Sequence, residues 1–265
     1  MTDLRGKRAL VTGASRGIGA SIEKRLAAAG AVVALVARNE AALKKVKVDI
    51  ETAGGTAELY PADLSDRRVC RDVAARAGEI DILINNAAMT GGKFMSTLAS
   101  DDDEWDINFA VSFMAPLIMM QEIGRGMAKR KRGVILNISS IAAQRPAPYL
   151  APYGIFKSAL DNLSRVVGIE LAAEKTNIRV NSVSIGLTDT EALAEKCGKV
   201  TTPAELTQRD VPLGRPIKPE EVADFCLYLV SDSAAPILGT VLTIDGGLTA
   251  GSYSLGQAMA TEQQS

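Results

Sequence analysis

Tyr153 and Lys157 stand four apart in the segment Leu150-Ala151-Pro152-Tyr153-Gly154-Ile155-Phe156-Lys157. On a helix that spacing stacks two side chains on one face. A free tyrosine titrates near ~10, too high for acid–base work at neutral pH. A fixed ammonium beside it favours the phenolate, so Lys157 is expected to lower that value. Ser140, thirteen residues before Tyr153, follows the apolar run Val134-Ile135-Leu136-Asn137-Ile138-Ser139. A hydroxyl at a strand's C-terminal end, beside a tuned phenol, suits proton transfer to a carbonyl oxygen. The 265 residues include no histidine, which excludes Ser-His-Asp hydrolysis and every His-dependent zinc site.

A second constellation lies near the N-terminus. Residues 7–12 read as a short apolar strand, followed by Gly13-Ala14-Ser15-Arg16-Gly17-Ile18-Gly19 and an amphipathic stretch carrying Ile22, Leu26 and Ala29. Glycines let the backbone approach a ligand, and the helix start offers free N–H groups and a positive dipole end to a pyrophosphate. The spacing is Gly-x-x-x-Gly-x-Gly, not the better-known Gly-x-Gly-x-x-Gly. At the first strand of an alternating α/β pattern it points to a dinucleotide.

With these motifs in place, the chain resembles the short-chain dehydrogenase/reductase family over roughly residues 5–247. The likeness rests on Thr12-Gly13…Gly17-Ile18-Gly19, Asp63, Asn85-Asn86-Ala87, Asn137-Ile138-Ser139-Ser140, Tyr153…Lys157, Arg179-Val180-Asn181 and Asp245-Gly246-Gly247, in order and spacing. The resemblance implies a catalytic set of Ser140, Tyr153 and Lys157 and a nicotinamide cofactor. Trans-enoyl reductases of the same superfamily use a wider Tyr–Lys spacing, so a ketone or secondary alcohol is favoured over an activated alkene. A 3-oxoacyl thioester is the nearest specific substrate.

The elements that must position these residues alternate. Strands are expected at 7–12, 31–36, 56–60, 81–84, 133–138, 178–184 and 240–244. Helices are expected at 17–29, 39–53, 65–77, 101–128, 152–174 and 219–230. Strands such as Val32-Val33-Ala34-Leu35-Val36 are continuously apolar, as a sheet covered on both faces requires. The expected fold is an α/β single-domain doubly wound parallel sheet, Rossmann-like, of about seven strands with helices on both faces. Ligands then bind beyond the strands' carboxyl ends. Residues 186–218 break the rhythm and are expected to cover the substrate. The polar tail 248–265 either frays or packs on a neighbouring subunit.

The cofactor choice turns on strand two. An NAD-preferring site commonly carries an acid ~20 residues beyond the glycines; here Ala37 stands there, and Arg38 follows. Arg16 and Arg38 suit a 2′-phosphate, and the resemblance implies NADP(H) favoured over NAD(H). It further assigns Ser15, Ile18, Asp63, Leu64, Asn86, Ala87, Tyr153, Lys157, Gly186 and Thr188 to the cofactor. Gln144 and Tyr149 are expected to bind substrate with Ser140 and Tyr153, in a mostly apolar pocket completed by Met89, Thr90, Pro146, Pro148 and Leu187.

Two positions depart from the family. Counting from Trp105, Pro116 and Ser140, the family's catalytic Asn falls on position 112, which is Ser112. Asn108 lies a helical turn away. The resemblance gives that Asn a water-holding role in a proton relay to Lys157, so Ser112 implies reduced activity or, alternatively, a catalytically impaired NADP-binding sensor or scaffold. Ile185 replaces the proline usual before Gly186.

Composition narrows the rest. A formal charge of −1 argues against a nucleic-acid footprint. No apolar run approaches the ~18 residues of a membrane span, and Met1-Thr2-Asp3-Leu4-Arg5 is no signal peptide, so a cytoplasmic protein without membrane contact is expected. Cys70, Cys197 and Cys226 suggest isolated thiols in a reducing compartment. Asp101-Asp102-Asp103-Glu104 reads as an acidic helix start, not a metal site. Met114, Leu117, Ile118, Met119 and Met120 exceed what one buried helix face needs, so a homotetramer or dimer is expected.

Overall fold

The apolar runs form seven parallel strands in the order β3-β2-β1-β4-β5-β6-β7: β1 Arg8–Thr12, β2 Val32–Ala37, β3 Thr56–Pro61, β4 Ile82–Asn85, β5 Gly133–Ser140, β6 Ile178–Ile185 and β7 Val241–Ile244. The computed structural model describes residues 2–89, 96–198 and 201–251. The strand order reverses between β1 and β4, which opens a crevice beyond their carboxyl ends.

Each face of the sheet carries its own core. On one side, α1 (Gly17–Ala28), α2 (Glu40–Thr52) and α9 (Pro219–Val230) bury Ile22, Leu26, Leu43, Ile50, Val222 and Leu229 against Val11, Val33 and Leu35. On the other, α3 (Arg67–Ala77) and a long broken helix bury Cys70, Val73, Ile118, Met119 and Met127 against Leu10, Leu83 and Ile135. Leu163, Val167 and Leu171 of α6 (Ala151–Ala173) pack on that second core.

The broken helix departs from the single helix expected at 101–128. It runs as α4 (Asp102–Phe109), a π-helical turn over Ala110–Met114 and α5 (Ala115–Arg130). The cause is Pro116. Without an N–H it cannot donate to the Ser112 carbonyl, so the regular ladder stops and the chain widens by one residue. Asp101 caps the start by accepting from the Glu104 N–H at 2.9 Å, with Asp102, Asp103 and Glu104 in the first turn, as the acidic run suggested. The whole stretch Asp102–Arg130 is long and apolar enough to cross a bilayer on length and composition, and half of its apolar window is buried in this fold. Scattered polar residues such as Ser112 and Gln121 hid that length in the sequence. Ile118, Met119 and Met120 go into the core, leaving Met114 and Leu117 half-buried.

A polar thread crosses the middle of the sheet. Asn85 Nδ2 donates to Asn137 Oδ1 at 2.8 Å, and Asn137 Nδ2 donates to Ser164 Oγ at 2.8 Å. Ser182 Oγ contacts Asp161 Oδ1 and the Asn137 carbonyl. These groups join β4, β5 and β6 to α6 and are buried. The segment after β6 forms two short helices, α7 (Glu191–Cys197) and α8 (Pro203–Asp210).

Candidate active site

The glycine turn leads from β1 into α1. Arg16 is the N-cap of α1 and its side chain makes no capping bond, so the first-turn N–H groups are left for a ligand. Gly13, Ser15, Arg16, Gly17, Ile18 and Gly19 line a groove of about 590 Å³, opposite Arg38, Asp63, Leu64, Asn86 and Ala87. That volume suits a cofactor. A side chain at Gly19 would run into the Gly13 carbonyl and Asn86 Nδ2. Asn86 Nδ2 donates to the Thr12 and Gly13 carbonyls at 3.0 and 3.2 Å, and the Asn86 and Ala87 N–H groups donate to Thr12 Oγ1, both at 3.0 Å. The β4 loop is thus stitched to the turn. Free helix-end donors and two guanidiniums form a donor set that fits the phosphates of a dinucleotide.

Three details qualify that wall. Arg16 Nη1 pairs with Glu195 Oε1 at 3.1 Å, tying α7 to the glycine turn. Asp63 Oδ1 accepts from the Ser65 N–H at 3.0 Å, so one oxygen caps its own turn. Gly186 and Thr188 stand apart from the groove wall. A Cβ at Gly186 would come within 2.7 Å of Asp245 Cα, and Thr188 Oγ1 donates to the Gly186 carbonyl at 3.1 Å. Gly186 packs the exit of β6 against the end of β7, and Thr188 bridges to Ile217.

Ser140, Tyr153 and Lys157 come together at the end of β5. Ser140 Oγ accepts from the Ala142 N–H at 3.2 Å. Tyr153 sits half-buried in the first turn of α6. Lys157, one turn on, is buried, and its Nζ donates to the Ile138 carbonyl at 2.6 Å and lies 5.8 Å from the Tyr153 ring centre. Burial pushes the Tyr153 phenol up, with the Ser140 hydrogen bond acting the other way. Burial also pushes Lys157 down to about 8, against the pull of Asp161. The expected lowering of the phenol is therefore corrected: burial, opposed by Ser140, sets its direction here, and Lys157, with one of its three donors on the Ile138 carbonyl, is not among the groups acting on it.

Ser112 shares no hydrogen bond with this trio among the described residues. It is fully buried in the π-helical turn, and its Oγ accepts from the Met89 N–H at 3.3 Å. Met89 lines the groove, so Ser112 anchors the loop between cofactor and substrate sides.

A small cavity lies over Tyr153, closed by Met89, Glu104, Asn108, Tyr149 and Lys196 among others. Lys196 Nζ lies 5.2 Å from the Tyr153 ring centre. Tyr149 holds φ at 67°, an uncommon conformation for a bulky residue. Met89 and Tyr149, both expected at the substrate, line this cavity. Gln144 is exposed and donates to Thr243 Oγ1 at 3.3 Å, away from the cavity; Pro146, Pro148 and Leu187 do not line it either. Thr90 lies outside the described residues. The expected apolar pocket is corrected, because Glu104, Asn108 and Lys196 place two charges and an amide there. Sequence reasoning missed Glu104 and Lys196, which only the tertiary fold brings to Tyr153. Asn108 was visible, but nothing in the spacing tied it to the phenol. Among the described residues, no cluster of His, Cys, Asp or Glu could hold a metal.

A family model described as enoyl-(acyl carrier protein) reductase matches residues 13–249. The chain is 34% identical over 259 residues to the 2,3-dihydro-2,3-dihydroxybenzoate dehydrogenase of Bacillus subtilis, covering 94% of this chain and 98% of that one. The chain belongs to the short-chain dehydrogenase/reductase family. Its similarity to the L-xylulose reductase of Bos taurus is 36% identity over 249 residues, with 93% and 98% covered. A solved short-chain dehydrogenase/reductase from Serratia marcescens superposes with a TM-score of 0.84 at 35% identity, covering 93% of this chain and 99% of that chain. As a short-chain dehydrogenase/reductase, the protein is an oxidoreductase that transfers hydride between an NAD(P)(H) cofactor and an alcohol or ketone.

Proposed function

We propose that the protein interconverts a ketone and a secondary alcohol with NADP(H) in preference to NAD(H). The observation that carries the reaction class is the meeting of Ser140, Tyr153 and Lys157 at one strand end. Hydride comes from the nicotinamide when the cofactor is bound. In reduction, Tyr153 gives its proton to the carbonyl oxygen, which Ser140 also holds. In oxidation, Tyr153 takes the proton back. Lys157, largely an ammonium at neutral pH, steadies the phenolate left behind and holds the nicotinamide ribose. Gly186 and Thr188 are assigned to the nicotinamide end of the cofactor, Asp63 and Leu64 to its adenine end.

The phosphate preference rests on Arg16, Arg38 and the neutral Ala37. The three residues between Tyr153 and Lys157 favour carbonyl over alkene reduction, and 3-oxoacyl thioesters are within the proposed range. Assembly as a homotetramer or dimer is supported by Ile155, Val166 and Ile169, which leave an apolar stripe exposed along α6; light scattering at micromolar concentration should give a mass above one chain.

The test is NADPH and NADH consumption over a ketone panel, run beside cofactor titrations. Turnover with tighter NADPH binding supports the reading. Equal affinity for both cofactors overturns the preference, and binding without turnover on any ketone assigns the protein as a cofactor-binding sensor.

A further inference from the structure

The cavity over Tyr153 contains a cation with no use in the reaction as derived. Lys196 projects from α7 until its Nζ stands 5.2 Å from the phenol ring centre. It is half-buried, and loss of water pushes its ammonium down, with no carboxylate opposing among the described residues. A desolvated ammonium is expensive unless an anion or hydrogen-bond acceptors compensate. The Tyr153 ring face compensates only in part. Glu104 lines the same cavity but forms no ion pair with Lys196. The position of Lys196 is held from next door, since its neighbour Glu195 pairs with Arg16 at 3.1 Å. Lys157 adds a second ammonium, 5.8 Å from the same ring centre, so the reacting end of the cleft is positively biased.

We propose that Lys196 makes this site select ketones that carry a carboxylate, the anion seated on its ammonium while the carbonyl oxygen faces Tyr153 and Ser140. The inference rests on the ketone–alcohol reading and narrows it to short oxo acids and their hydroxy acids. The closeness of Lys196 to the Tyr153 ring requires the carboxylate and carbonyl to lie only a few bonds apart. The carboxylate takes no part in bond making; its attraction orients the carbonyl.

Matched acid and ester pairs test this directly: acetoacetate against methyl acetoacetate, and levulinate against methyl levulinate, each with NADPH. The acids should exceed their esters in kcat/KM by about tenfold to a hundredfold, mostly through KM, as a charge-assisted contact gives. Lys196→Met should bring that ratio close to one, and Lys196→Arg should keep it, with thermal melting confirming that both variants fold. A wild-type ratio of one or less overturns the proposal. So does an unchanged ratio in Lys196→Met, including the case where both substrates slow equally because the lysine only tunes Tyr153. If no ketone is reduced, calorimetric titration of acetoacetate into the NADP⁺-loaded protein separates the two readings. Lysine-dependent binding then supports anion recognition while the reaction assignment fails; binding that ignores Lys196, or none, overturns it.

Discussion

The two halves of the cleft are built from different materials. The cofactor half is mostly backbone: a glycine turn, an uncapped helix start and a β4 loop sewn to them by Thr12 and Asn86. The half over Tyr153 is mostly side chain, drawn from α4, α6, α7 and the β4 loop. Backbone geometry tolerates few sequences, so it leaves a local signature. A side-chain cavity accepts many, so its character appears only when distant segments meet.

The sharpest way to break this division is Tyr153→Phe. With no histidine to replace the phenol, turnover should fall by about 10²- to 10⁴-fold, while NADPH affinity stays close to wild type, because the groove wall does not include Tyr153. Substantial residual turnover would show that the proton has another route. Next comes the pair Ala37→Asp with Arg38→Leu. Replacing a guanidinium by a carboxylate at the groove should weaken NADPH about tenfold to a hundredfold and shift preference toward NADH, with the ketone range unchanged; titration with both cofactors reads it.

A third test uses a charge outside both halves. Glu23 of α1 is fully buried, and neither carboxylate oxygen has a partner among the described residues. Burial pushes its carboxyl well above the ordinary range. The folded state thus holds its proton longer than the unfolded chain does. The Glu23 contribution to stability should be greatest below the unfolded value of about 4.5 and be lost as pH rises from there toward the raised folded value. Glu23→Gln should flatten that slope and add about 1–3 kcal/mol at neutral pH, measured by urea unfolding from pH 4 to 8. A slope that survives the substitution would move the cause elsewhere. The smallest effect is expected at Ser112→Asn. Ser112 already holds the Met89 N–H, so restoring the family amide should raise kcat only severalfold, with cofactor affinity held.

Legibility followed the same division. All seven strands fell within two residues of their expected ends because each is a short apolar run bounded by turn residues. The glycine turn was legible in its spacing, whereas Asp63, Leu64, Asn86 and Ala87, which line the same groove, came only from the family resemblance. What escaped was the break at Pro116, where the apolar period continues through a π-helical turn, and the charge over Tyr153. Lys196 sits on a seven-residue helix whose direction no local pattern sets. The phenol's environment also misled: the Tyr–Lys spacing states which charges are near, but not how much water burial removes.

The thread from Asn85 through Asn137 to Ser164 and Ser182 has a consequence for how the chain finds its fold. Parallel strands of Val, Ile and Leu would gain almost as much apolar burial if paired one residue out of step. Such a slip turns alternate side chains to the opposite face. Here it would carry the two amides away from each other and strand them in a dry interior. Each orphaned group costs about 1–3 kcal/mol. The two amide groups that such a slip parts would separate the native pairing from its shifted competitor by about 2–6 kcal/mol, a large share of the ~5–15 kcal/mol that holds a whole domain. The centre of the sheet thus carries its own proofreading, in the strands that must align before the carboxyl-end loops can meet.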